Sequence, residues 1–506
     1  YIEQSGGTLR SKSLFYLGAG QYGRGLWYQT GGQSLHEGNI IMGNYSRTAN
    51  PSKAVLWIAG GYLEAWSAIC SGKTLYDTSN TGNQDQITIS GDETLVSVDN
   101  GIDLAGTTDA KTTLNLNGGT LWAHFAQVLT NELQTQMATG EFREYTGNSA
   151  RVNFNGGVYR YRRNDKKSNK VGYRAESFFY GDPDRLTLTS YGKGANFSVD
   201  KNQTANLDHS LCAPSGKGVQ SIALPSDFGD LPDGAYVGAP FVEITGDGVG
   251  ATAVAEFDSV LGRVTGVTVT SPGCNYTTAS ANLIRGGYTN TVALTVTLGD
   301  NVSGGLTKSG EGVLRLNVAN TYTGKTVVSN GTLVAAQEGA IPSASEIELA
   351  GGTLDAGGFE RDYGVIVSGG GELVNARGSY TRFVKTGDGA VTFGAPLTGA
   401  DAVIDVQGGT LRLPIRIPGL YAGEKIYASG ETQTEWNKRT PITNLGVEAG
   451  PERAYHLTTD GYFQPNHYLS YSGYLWNRTS EERSVTFAYS FDDSVAVCVD
   501  GNELAM

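Results

Sequence analysis

Residues 304–336 read GGLTKSGEGVLRLNVANTYTGKTVVSNGTLVAA, and their reading decides the fold. Apolar and β-branched residues come in short bursts, with a glycine at almost every break. Bursts of this kind suit short strands, and glycine supplies the positive-φ corners and close backbone approach that sharp turns demand. Gly310, Gly312, Gly324 and Gly331 read as corners. Leu314, Leu316 and Val328 read as core, with Val313 partly inward. Lys308 reads as part of that geometry, not as a chemical group.

The stretch has an echo. FVKTGDGAVTFGAPLTGADAVIDVQGGTLRLP realigns with it, placing Lys385 on Lys308, 77 residues apart, and Thr410 on Thr332, 78 apart. Thr353 and Glu372 mark subunits of about 19–21 residues in between. In the first half, Gly-Gly pairs end at Gly7, Gly32, Gly61, Gly119 and Gly157, spaced 25, 29, 58 and 38 residues. The spacing of 58 is twice 29, which predicts a degenerate copy near ISGDETLVSV. One such unit cannot bury its apolar face alone. Stacked as coils, each pairs its backbone with its neighbours at about 4.8 Å.

Composition agrees. Glycine is 71 of 506 residues, and charged residues are 17%. Hydrophobic residues at 39% exclude disorder. A net charge of −13 excludes nucleic acid as a partner, because phosphates would be repelled. No apolar run spans a membrane, and the cysteines Cys70, Cys212, Cys274 and Cys498 lack zinc-ligand spacing. Tyr1 reads as a processed start or a cut from a longer chain.

Some regions break the rhythm. Phe125, Leu129, Leu133 and Met137 recur at i, i+4, predicting an amphipathic helix near 123–139. The expected organisation is β-helix coils over 1–165, an irregular insert over 166–237 and a β-hairpin module over 238–290. Repeat coils follow over 291–414, and a β-sandwich over 415–506.

The 304–336 stretch resembles the autotransporter-associated β-strand repeat in its Leu306-Thr-Lys308, Asn320-Thr-Tyr-Thr-Gly324 and Gly331-Thr-Leu333 segments. The resemblance implies an all-β, right-handed parallel β-helix in a large secreted bacterial surface protein. Residues 238–287 resemble a hairpin spacer of phage and bacterial surface proteins, to which no activity is attached. The stretch VTFAYSFDDSVAVCVDGNEL resembles late strands of PA14-like sandwiches, some of which bind glycans through calcium. Carried over, Asp492 and Asp493 would be calcium ligands, needing help from Asp500, Asn502 or carbonyls.

Other chemistry is thin. A polysaccharide lyase or hydrolase on a β-helix would need coil-stacked carboxylates, and no Asp repeats at a coil-spaced offset. The five histidines have no metalloprotease spacing, and Asp208-His209 would point to opposite faces of a strand. A basic run includes Arg160, Arg162, Arg163, Lys166 and Lys167, which could dock a polyanion or form a solvated hairpin. The reading is a non-enzymatic, extracellular or cell-surface scaffold or adhesin whose partners are glycans or other cell surfaces. A polysaccharide-active enzyme and a purely structural stalk stay open as alternatives.

Overall fold

Trp27, Leu56, Ile87, Leu114, Val152, Leu188 and Leu211 lie one above another, each paired in parallel register with the next. All are buried, at 4% exposure or less. The steps between them are 29, 31, 27, 38, 36 and 23 residues, so the varying repeat length is taken up between strands while the register of the core column holds. The structure is a computed structural model. It describes residues 1–18, 23–43, 52–71, 82–128, 146–163, 176–228, 233–393 and 402–413, and the backbone of the strands at 421–426, 467–472, 486–487, 498–499 and 502–503. It is a parallel β-helix, and among the described residues there is no α-helix.

A typical coil has three strands, such as Lys53–Ile58, Tyr62–Ala65 and Ala68–Ser71. The first face stacks eight strands, from Ile2–Gln4 to Leu211–Cys212, and the third face six, from Phe15–Leu17 to Phe179–Tyr180. The corner between the first two faces is glycine for a physical reason. Gly61 has φ +75°, and a Cβ there would sit 2.4 Å from the carbonyl oxygen of Gly32 in the coil before. The degenerate copy is real. Gly91 turns the same corner at φ +81° ahead of the strand Leu95–Val98.

Two expectations are corrected. Residues 123–128 are not helical: Thr120–Ala123 and Ala126–Val128 are strands, and the Phe125 carbonyl accepts the Ile102 amide at 2.8 Å. Neighbouring coils take the backbone groups that a helix would have used, so tertiary pairing overrides the local i, i+4 pattern. Residues 129–139 lie outside the described residues. Nor is the chain irregular throughout 166–237. Leu186–Ser190, Ala195–Ser198 and Leu211–Cys212 continue the coils, pairing onto Ser149–Phe154, Val158–Tyr161 and Leu186–Ser190 respectively. The corner there is Gly192-Lys193-Gly194, with positive φ at both glycines, so a search for Gly-Gly passes over it.

The chain leaves the first face at Cys212 and rejoins the second at Leu306, which pairs with Ala195. Between them it builds an antiparallel module. Lys217–Ala223, Val292–Asp300, Ala279–Ile284 and Phe241–Gly246 form one sheet, and Thr252–Asp258 with Arg263–Ser271 a hairpin. Val219, Tyr236, Val242, Tyr276 and Leu283 fill its core. The module covers the outer side of the first face. Phe241, Ala239 and Val254 pack on Leu26, Val55 and Trp57. Beyond them the contact turns polar. Asn115 donates to Thr88 at 3.1 Å and to Thr252 at 3.0 Å, and Asn153 donates to Asn115 at 2.9 Å and Ser271 at 3.0 Å.

Residues 346–506 form a second compact unit. Within it Ile347, Ile366, Phe383 and Ile404 stack in parallel at steps of 19, 17 and 21 residues, all but buried. Tyr421–Ile426 pairs antiparallel with His467–Ser472, and Cys498–Val499 with Asn502–Glu503. Most of the expected sandwich at 415–506 falls outside the described residues.

Candidate functional site

Strand alternation on the second face points Ser97, Trp122 and Arg160 outward in neighbouring coils. Arg160 donates through Nε at 3.0 Å and a terminal nitrogen at 2.9 Å to the two oxygens of Asp200. Arg162 donates to Ser97 Oγ at 2.7 Å and pairs with Asp99 at 2.9 Å. The two guanidinium carbons lie 4.8 and 4.4 Å from the Trp122 ring centroid. The structure thus brings Arg160 and Arg162 together, with their charge matched by carboxylates and their planes against an indole. Such pairs are worth about 0.5–1 kcal/mol each at an exposed site. Arg163 stands exposed at the end of this group, and Lys166 and Lys167 lie outside the described residues. Sequence reasoning missed Trp122, Asp99 and Asp200, which come from other coils. Their only signal was the 38-residue step that sets Trp122 beside Arg160.

Asp492 and Asp493 also lie outside the described residues, as does any help from Asp500. Among the described residues no group of three or more His, Cys, Asp or Glu could hold a metal. His36 is fully buried, with Phe15 and Trp27 ring centroids at 5.0 and 5.3 Å, and burial pushes it down to about 4. His209 is buried while Asp208 faces outward to accept from Asn317 at 2.7 Å, so the two do not form a dyad. No carboxylate stands opposite another in the paired strands of the described residues.

A different concavity opens where the module meets the first coils. It encloses about 750 Å³ and is lined by Tyr1, Arg24, Leu26, Phe241 and Arg285 among others. Arg24 stands abreast of Lys53 in adjoining coils, so two cations are neighbours by register. Lys53 Nζ reaches the Val242 carbonyl of the module at 3.4 Å. Burial and then the Arg24 charge pull Lys53 down to about 8, against Glu243 and Asp85. Burial also lowers Arg24, where Glu243 pulls up and Arg285 pulls down.

The comparisons bear on the coils. The passenger-associated-transport-repeat family matches residues 306–335. Over 247 residues the chain is 28% identical to the adhesin BmaC autotransporter of Brucella suis biovar 1 (strain 1330). That alignment takes in 47% of this chain, and the chain spans only 6% of the relative's length. No solved structure matches. The parallel coils run through the matched stretch, so the chain carries an autotransporter-associated β-repeat within its β-helix.

Proposed function

We propose that this chain is a segment of a surface-displayed adhesin, in which the β-helix is a rigid carrier and binding is done by elements added to it. The observation that carries the reading is the passenger repeat at 306–335, set in register within the coils and joined to likeness with an autotransporter adhesin. The coils suit a carrier. Their inward columns are sealed, and Asn, Thr and Ser dominate the ladders that hold successive layers. The presented partner is a glycan or another cell surface, and the C-terminal region beyond Pro414, with its PA14-like segment and the Asp492-Asp493 pair, is the part proposed to meet it.

Beads coated with the purified chain test this. Attachment to cells above that of beads coated with an unrelated protein of equal charge supports the adhesive reading, and its loss on deglycosylating the cells supports a glycan partner. No attachment to any cell surface leaves a structural stalk.

A further inference from the structure

The concavity between the module and the first coils carries more positive charge than its walls neutralise. Arg24 and Lys53 are forced side by side by the parallel register of their strands. Arg285 faces them from the module, close enough to oppose the Arg24 charge. Glu243 is the acidic group that acts on both Arg24 and Lys53 from the module side, with Asp85 behind Lys53. Arg24 and Arg285 are both exposed, and neither forms an ion pair among the described residues. By contrast Arg160 is tied to Asp200, Arg162 to Asp99 and Arg263 to Asp233. In a chain of net charge −13, a cleft with two unpaired guanidinium groups is a local reversal of field.

We propose that this cleft binds the carboxylate of an acidic saccharide. The planar guanidinium forks of Arg24 and Arg285 match a carboxylate bidentately, which a lysine cannot do. Tyr1, 42% exposed and set edge-on to Phe257 at 5.4 Å, gives an aromatic wall for the apolar face of a sugar ring. The volume of about 750 Å³ holds more than one ring. The inference rests on the adhesive reading only for where such a saccharide would be met. Binding itself is a property of the purified chain, so the two fail separately.

The test is calorimetric titration of the whole chain with a galacturonate tetramer, a neutral galactose tetramer and a short poly-glutamate. The galacturonate tetramer is expected to bind, with affinity falling as salt rises. Arg285→Ala and Arg24→Ala should each weaken it at least tenfold, and both side chains are exposed enough for the variants to fold. Arg315→Ala, an exposed arginine in a distant coil, should leave it unchanged. No binding at millimolar tetramer, or equal binding by Arg285→Ala, overturns the proposal. Equal affinity for the neutral tetramer overturns the carboxylate, and equal affinity for poly-glutamate overturns the saccharide.

Discussion

Lys308 Nζ donates a hydrogen bond to the carbonyl of Asn330, 22 residues on and one coil away, at 3.1 Å. The same nitrogen reaches the carbonyls of its own turn, Ser309 at 2.7 Å and Gly310 at 2.8 Å. Lys308 is fully buried as a residue, so its three donors meet three corner carbonyls, of which that of Ser309 also accepts the Val199 amide at 3.1 Å. Lys385 repeats the arrangement on Thr386 and Gly387. The lysine of the repeat is a fastener between coils.

Lys308→Met keeps the stem and removes the donors. It leaves the Gly310 and Asn330 carbonyls without this donor, at about 1 kcal/mol or more each, while that of Ser309 keeps the Val199 amide. The expected outcome is a loss of about 2 kcal/mol in unfolding free energy, read from the denaturant midpoint, and no change beyond about 0.5 kcal/mol for the exposed Arg315→Met.

Asn320 binds three layers together. Its Oδ1 accepts the Leu211 amide at 2.7 Å, its amide donates to the Gly339 carbonyl at 3.0 Å, and its Nδ2 donates to the Ala340 carbonyl at 2.5 Å. Asn320→Ala strips the side-chain bonds to buried Leu211 and Ala340, and the longer one to the Val318 carbonyl at 3.3 Å, for an expected loss of about 2–3 kcal/mol. Hydrogen exchange should show the Leu211 amide losing protection first.

Glycine corners divide by cause. Gly310 has φ +73°, and its added Cβ would meet the Val199 carbonyl oxygen at 2.3 Å, whereas Gly234 at φ +77° has nothing within 4 Å. Gly234→Ala should cost about 1 kcal/mol, the backbone term alone. Gly310→Ala should cost more than twice that, read as a difference in thermal midpoint. Equal costs would show that the coils can part to admit a methyl group.

Alkaline pH has a signed effect. Burial lowers Lys308 and Lys53 to about 8, below the unfolded value of 10.5. Between those pH values the unfolded chain holds more protons, so stability rises with pH from about 8 to about 10. Above about 10 the unfolded tyrosines ionise, while burial keeps Tyr159, Tyr191 and Tyr380 protonated in the fold, and stability falls. Urea midpoints across pH 7–11 should trace this maximum, and the rising limb should be shallower in Lys308→Met.

The sequence by itself determined that the chain is a β-helix, because coil stacking writes a local rule into every turn. A glycine must stand where two corners touch, and apolar residues must alternate along each strand, so Gly7, Gly32, Gly61 and Gly310 announce the coils without reference to the rest. Where the corner chemistry changed, as at Gly192 and Gly194, the rule fell silent although the strands went on. Partners in neighbouring coils were left to the tertiary structure. The register sets Trp122 beside Arg160, Lys53 beside Arg24, and Asn153 over Asn115, at sequence separations that vary from coil to coil. The seating of the module on the first face was decided there too, since an Asn ladder facing Thr252 and Ser271 looks in sequence like any solvated strand. Periodicity fixes a repeated shape. Charge pairing and clefts depend on which loop lengths bring which residues level, and only the closed fold settles that.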